Sequence, residues 1–288
     1  MPPQKIPPPP NPFAVCEHPC PDERYFRDEG LNASTIKATV ASLSPLSVVP
    51  AKGRAYRNQQ RRDTPALVVG RAAHAFILEG EKVYTARFAV MPDVDRRTKA
   101  GKSMLAAWLL DNENKTGITV DQDFQVRGMA AAVRRCAAAR RLLVNGLAER
   151  AIFWSDLGTG LPCKARLDYI TEDGTLVDLK TCQDATESGF ARSVALFRYH
   201  IQASFYMRAY REFHGGDSPP FRFVAVEKIP PYSVGVCDLD EDTLAAADDI
   251  VGVAMRLWAR GDEAPSDFGE YTVALRPYQN HLALMEDA

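Results

Sequence analysis

Arg166-Leu167-Asp168-Tyr169-Ile170-Thr171-Glu172-Asp173-Gly174-Thr175-Leu176-Val177-Asp178-Leu179-Lys180 is the stretch on which the rest of the chain turns. Two short apolar runs, with β-branched and aromatic residues mixed in, flank Glu172-Asp173-Gly174. That is the signature of a three-residue hairpin loop with glycine at its left-handed position. In this register the numbers of facing residues add to 346, so Asp168 faces Asp178. Side chains alternate between the faces of a strand, so Arg166, Asp168, Asp178 and Lys180 share one face. Ala165, Leu167, Tyr169, Val177 and Leu179 share the other, which reads as the core side.

Two carboxylates facing each other across a ladder repel at a Cβ separation of roughly 5 Å. Lys180 lies on the same face, but one ammonium cannot satisfy both acids and stay free. A divalent cation fits better, since hard oxygen ligands on a rigid scaffold suit Mg²⁺ or Mn²⁺. Taken alone, the same residues also describe a surface hairpin with solvated charges.

The chain's 288 residues are enough for one large domain with its own core, and charged residues make up an ordinary 25%. A formal net charge of -2 excludes a uniformly basic surface, so a polyanionic partner has to be met by a local basic groove. No stretch approaches a transmembrane span, and the proline-rich start lacks the regions of a signal peptide. Six scattered cysteines suit reduced thiols and a cytoplasmic setting. Cys16 and Cys20 bracket Glu17-His18-Pro19 without a second pair at zinc spacing.

Residues 1–29 read as a flexible, proline-rich arm, 30–264 as one domain, and 265–288 as a tail. A helix starts at an Asn32 or Ser34 cap. Lys52, Arg54, Arg57, Arg61 and Arg62 form a basic run that suits either a solvated face or phosphate contact. Pro65 to Gly80 reads as a buried helix stopped by glycine. His74 in its middle is either a core histidine bonded to a carbonyl or a ligand, if this helix packs over the carboxylate face. Arg87 to Pro92 reads as a strand, Asp93 to Lys102 as a polar basic loop, Ser103 to Asp111 as a helix, and Asp121 to Asn145 as one long helix. From Ala151 the pattern predicts a three-stranded meander ending at Lys180. Helices near 188–194 and 198–213, strands at 221–227 and 232–239, and a closing helix capped by Asp240 follow.

Leu161-Pro162-Cys163-Lys164-Ala165-Arg166-Leu167-Asp168, followed by Val177-Asp178-Leu179-Lys180-Thr181, resembles the PD-(D/E)xK nuclease signature. Gln202-Ala203-Ser204-Phe205-Tyr206 matches the Q-x3-Y motif of its RecB-like branch, and Gly70 to Glu79 resembles that branch's helical histidine motif. With Arg87 to Val90 and Asp93 to Lys99 between them, these elements are similar to the exodeoxyribonuclease VIII (RecE-like) nuclease domain of phages and prophages. The resemblance implies an α/β (mixed α+β) fold with a restriction-endonuclease-like core, a central mixed sheet flanked by helices. It implies a Mg²⁺-dependent deoxyribonuclease, with Mn²⁺ as the alternative ion, that resects linear double-stranded DNA from 5′ ends. On this reading Asp168, Asp178 and His74 hold the metal, and Lys180, Gln202 and Tyr206 complete the catalytic set. Arg71, Arg96, Arg97, Lys99, Arg166, Arg192 and Tyr199 are the candidate DNA contacts. The implied partners are double-stranded DNA ends, a single-strand annealing protein and further copies in a homo-oligomeric ring, with no membrane. The alternatives are a nuclease of another role, CRISPR-associated, defence or structure-specific, and a non-catalytic DNA-binding assembly protein.

Overall fold

The computed structural model describes residues 13–17, 25, 29–41 and 64–260. The basic run at 52–62, Cys20 and the tail from 265 lie outside these residues.

The centre is a six-stranded mixed sheet in the order β1-β4-β5-β6-β7-β8. Its strands are β1 (Val15–Glu17), β4 (Leu147–Ser155), β5 (Pro162–Ile170), β6 (Leu176–Cys182), β7 (Phe221–Glu227) and β8 (Val234–Asp238). Strands β6 and β7 run parallel over seven paired residues, and the other neighbours are antiparallel. Three residues of the stretch read as a mobile arm therefore form an edge strand on β4. A separate parallel pair joins β2 (Phe88–Val90) to β3 (Thr116–Ile118).

Helices cover both faces, as a buried parallel pair requires. Against one face pack α1 (Ala33–Ala41), α7 (Glu187–Phe197), α8 (Tyr199–His214) and α9 (Glu241–Arg260). Ile36, Phe190, Ile201, Phe205 and Met255 meet Phe221, Phe223 and Ala225 there. Against the other pack α2 (Pro65–His74) and α5 (Val120–Arg135), with Val69, Phe76, Val126 and Met129 on Val224 and Val226. Among the described residues no helix is long and apolar enough to cross a membrane.

Local chemistry explains most boundaries. Thr64 caps α2, accepting from Leu67 N at 3.3 Å with Pro65 in the first turn. Thr119 and Gln122 form a reciprocal capping box on α5, and Asp240 accepts from Thr243 N at 2.8 Å ahead of α9. Asn32 caps α1, accepting from Thr35 N at 2.9 Å.

Where expectation and structure differ, packing decides. The long helix at 121–145 divides at Cys136, whose extended backbone separates α5 from the short α6 (Ala137–Leu142). The helix expected from Ser103 begins four residues earlier as α4 (Lys99–Asp111), because the Thr98 hydroxyl accepts from Gly101 N. Arg87 ends a helix, α3 (Glu81–Arg87), rather than opening β2. The α2 helix does continue past His74, but as a π-helical turn, Ala75–Glu79, ended by Gly80 at φ 95°. Single π turns within helices cluster at functional positions because they re-aim side chains.

The decisive hairpin keeps the expected register: Tyr169 pairs Val177 and Ile170 pairs Leu176. Gly174 takes φ 82°, a conformation that favours glycine, and a Cβ there would stand 2.9 Å from the Tyr210 hydroxyl, which would have to shift. The single core face expected for Ala165, Leu167, Tyr169, Val177 and Leu179 is a correction. All five are buried, but Ala165 and Leu167 join the α8 side whereas Tyr169, Val177 and Leu179 join the α2 side. The switch falls at Glu149 on the neighbouring strand, whose φ of 50° interrupts the β4–β5 ladder between Ala148–Tyr169 and Arg150–Leu167. Such a conformation costs a non-glycine residue about 1–3 kcal/mol and persists only where its surroundings impose it.

Candidate active site

The two acids of the hairpin sit where β5 and β6 part. Pairing ends at Tyr169–Val177, and the Leu179 N–H that a longer ladder would use donates instead to Asp168 Oδ2 at 3.0 Å. From there β6 follows β7, which carries Asp178 and Lys180 toward the α8 side of the sheet.

Asp178, with 1% of its side chain exposed, is held from two directions. Gln202 on α8 donates from Nε2 to Oδ1 at 2.7 Å. The Lys180 ammonium pairs with Oδ2, in a geometry that leaves this buried oxygen without a directed hydrogen bond among the described residues. Lys37 of α1 donates to the other end of the same amide, Gln202 Oε1, at 3.0 Å. A chain of alternating donors and acceptors thus runs from Lys37 through Gln202 and Asp178 to Lys180. The Lys180 nitrogen also lies 4.7 Å from the centroid of the Tyr199 ring.

Asp168 belongs to a second group. Its Oδ2 lies 3.5 Å from His74 Nδ1, which lies 3.9 Å from Glu149 Oε1. Gly70, one turn before His74, brings α2 so close that a Cβ there would stand 3.9 Å from Thr181 Oγ1 of β6. The condition for His74 to join the carboxylates, that its helix cover them, is met. His74, Glu149 and Asp168 each offer one donor atom, and all three atoms lie within 4.8 Å of one another. Glu149 is steadied from behind by Arg166 Nε at 3.1 Å.

The charges answer to this geometry. Burial, and then the charge of Asp178, push the Asp168 carboxyl up to about 7. Burial would lower the His74 imidazole, but Asp168 and Glu149 outweigh it and raise it to about 9. Lys180 is likewise opposed by burial yet raised by Asp178 and Asp168, so it remains an ammonium. Tyr206, one turn along α8 from Gln202, is raised well above the usual phenol by burial and by the charge of Asp168.

The chain matches the family described as a PDDEXK-like domain of unknown function (DUF3799) over residues 39–259. The chain belongs to that family. A crystal structure from Eubacterium rectale named "putative exonuclease" superposes with a TM-score of 0.58 at 16% identity, covering 92% of this chain and 97% of that one. At that identity the likeness concerns the fold alone, which is the PDDEXK-like mixed α/β core. A second solved structure, SSO0001, has a TM-score of 0.26 at 12% identity over 80% of this chain and 88% of its own, and carries no argument. No curated protein matches the chain.

The structure brings Asp168, Asp178, Lys180, Gln202, Tyr206 and His74 to one place. It arranges them differently from the expected set of His74, Asp168 and Asp178: the third donor converging with His74 and Asp168 is Glu149. Sequence reading passed over Glu149 and Lys37. Glu149 precedes the apolar run of β4, and only the β4–β5 register sets it opposite Asp168. For Lys37 there is no local signal, because its partner lies 165 residues away.

The candidate DNA contacts separate. Arg166 and Tyr199 lie within the site. Arg71, three residues before His74, is exposed on α2, and Arg96, Arg97 and Lys99 are exposed between β2 and the start of α4. Arg97 is paired with Asp95 at 3.0 Å and Arg192 with Asp184 at 3.4 Å.

Proposed function

We propose that this protein is a divalent-metal-dependent deoxyribonuclease that hydrolyses phosphodiester bonds of linear double-stranded DNA. The reading continues to 5′-to-3′ end resection of the RecE-like, phage-recombination kind, with a single-strand annealing protein as partner and a ring of copies around the duplex. The observation that carries the nuclease reading is the pairing of an oxygen- and nitrogen-donor cluster, His74–Glu149–Asp168, with the buried Asp178–Lys180 pair one strand away.

The residues fit a small dication. Asp168 holds its charge at a cost that a cation would remove, and His74, Glu149 and Asp168 converge as nitrogen and oxygen donors. His74, Glu149 and Asp168 are the residues that would hold it. Mg²⁺ suits the carboxylates, and Mn²⁺ also accepts the imidazole. When bound, such an ion supplies Lewis acidity toward a phosphate oxygen and lowers the pKa of water.

The protein's own groups do the rest. Lys180 places a fixed positive charge where the phosphorus centre gains negative charge, in a partly buried site where that charge is weakly screened. Gln202 fixes the Asp178 carboxylate, and Lys37 fixes Gln202 so that the NH₂ end, not the carbonyl end, meets the acid. Against burial, the hydrogen bond with His74 and then the charge of Arg166 hold the Glu149 carboxyl below its usual range, and Arg166 steadies it from behind.

The test is incubation with linear, nicked and covalently closed duplex DNA, labelled on either 5′ or 3′ ends, with Mg²⁺, with Mn²⁺ and with chelator. Metal-dependent loss of linear DNA alone, with the 5′ label released first, is the expected result. Cutting of closed circles would replace the exonuclease reading by an endonuclease one, and retention of DNA without cleavage under every metal would overturn both.

A further inference from the structure

Phe197 and Leu196 end α7 with 53% and 69% of their surfaces exposed, beside the charged site rather than on a remote face. Exposed apolar groups in contact with one another are where a binding surface is sought. Phe197 is not a loose side chain. Its ring stacks on Tyr199 at 5.5 Å and 29°, Tyr199 contacts Phe190 at 6.1 Å and Phe223 at 6.0 Å, and Phe190 packs edge-on to Phe223 at 5.5 Å. An aromatic series therefore runs from a fully buried core residue of β7 out to a ring open to solvent. The corner that presents it is tight, with Arg198 alone joining α7 to α8 in a left-handed conformation with φ 53°. The Lys180 and Lys37 ammonium groups lie 4.7 and 5.6 Å from the Tyr199 centroid.

The geometry points to a nucleobase as the occupant of this surface: Phe197, flanked by Leu196, is a stacking platform for a base of the strand whose phosphate lies against Lys180. The inference rests on the nuclease reading and adds where the bases go. The Phe197 ring lies within about 10 Å of the Lys180 nitrogen, given 5.5 Å to the Tyr199 ring and 4.7 Å beyond it. Even at the duplex spacing of about 3.4 Å per nucleotide that is the reach of at most about three nucleotides, and a more extended single strand covers it with fewer. Cation and ring together match a nucleotide chain, which alternates phosphate and π face, and stacking of this kind tolerates any base. A base inside a duplex offers no free face, so the platform selects single-stranded or frayed ends.

The test uses the full chain carrying Asp178→Asn to prevent cleavage, with a fluorescent single-stranded oligodeoxynucleotide and an abasic oligomer of equal length and charge. Phe197→Ala is expected to weaken binding of the base-bearing strand at least about five-fold, the low end for one base–aromatic stack, and to leave the abasic strand unchanged. Phe197→Trp restores it. Equal affinities for both probes in the Phe197→Ala chain and its parent overturn the platform, and so does a shift from dimer to monomer on sedimentation with DNA binding unchanged. Separate assay of the chain without Asp178→Asn separates the two readings. DNA binding that depends on Phe197 without any metal-dependent cleavage would remove the nuclease function and leave the platform, whereas cleavage with Phe197→Ala binding like its parent would do the reverse. Binding of neither probe would overturn the platform.

Discussion

Asp178 is ringed by donors: Gln202 holds one oxygen, Lys180 faces the other, and Lys37 secures Gln202 from behind. Asp168, on the neighbouring strand, has one backbone N–H and otherwise shares a single imidazole with Glu149. The first acid is neutralised by the protein itself. The second stands in a cluster of two carboxylates and one base, with its pKa raised to about 7 by burial and by Asp178. Stability without metal favours the first arrangement, and the second is the one that the proposed cation would complete. The hairpin supplies both because its strands part directly after Tyr169 and Val177.

The contrast is broken most severely at Lys180. Lys180→Met leaves Asp178 buried beside one amide, so chemical denaturation in chelator should show a loss of about 3–5 kcal/mol, the usual cost of orphaning a buried charge. Cleavage should fall on the order of 10²–10³-fold, as when a preorganised donor is removed. Glu149→Gln is the counterpart in the other cluster. Its stability in chelator should fall less than that of Lys180→Met, since the pair with Arg166 is only partly buried (18% and 25% exposed) and the amide oxygen still accepts from Arg166 Nε, while calorimetric titration with Mn²⁺ shows weaker binding. Similar stability losses in both variants would erase the distinction.

A pH series sharpens it. His74 is raised from 6.5 to about 9, so its contribution to stability is complete below 6.5 and lost as pH rises through 9. Asp168 is raised from 3.8 to about 7, so folding favours its protonated form and stability also falls as pH climbs from about 4 to 7. A bound cation requires His74 neutral and Asp168 ionised, and therefore displaces protons. The thermal shift produced by Mn²⁺ should grow from pH 6 to pH 9, with apparent affinity rising up to tenfold per unit where one proton is released. A flat profile would contradict the arrangement, and His74→Asn should flatten it.

Lys37→Met should lower the cleavage rate about ten- to a hundred-fold, as outer partners of catalytic groups do, with stability changed by about 1 kcal/mol. Lys37→Arg should recover part of the rate, because a guanidinium can still donate to Gln202 Oε1. The smallest effects belong to Arg97→Ala and Arg192→Ala. Both guanidinium groups are exposed and paired with local aspartates, so each variant should only slightly reduce the salt sensitivity of DNA binding.

The hairpin register seen at Tyr169–Val177 and Ile170–Leu176, the Gly174 turn, a capped helix start at Asn32 or Ser34 and the helix carrying Gln202 and Tyr206 were all readable from local pattern, although the ladder ends before Asp168 and Asp178. Each depends on interactions within a few residues, where spacing and residue type suffice. The break at Cys136, the π turn after His74 and the start of α4 were not, because they trade local propensity against packing on neighbouring elements.

Sequence by itself determined that two acids and a lysine lie together on a β-hairpin, with a histidine and a glutamine at hand in helices. Tertiary structure alone decided which acid is paired with a lysine and an amide and which joins His74 and Glu149. That decision depends on Glu149 arriving from β4 and Lys37 from α1, and a contact such as Lys37–Gln202, made across 165 residues of chain, leaves no periodicity to read.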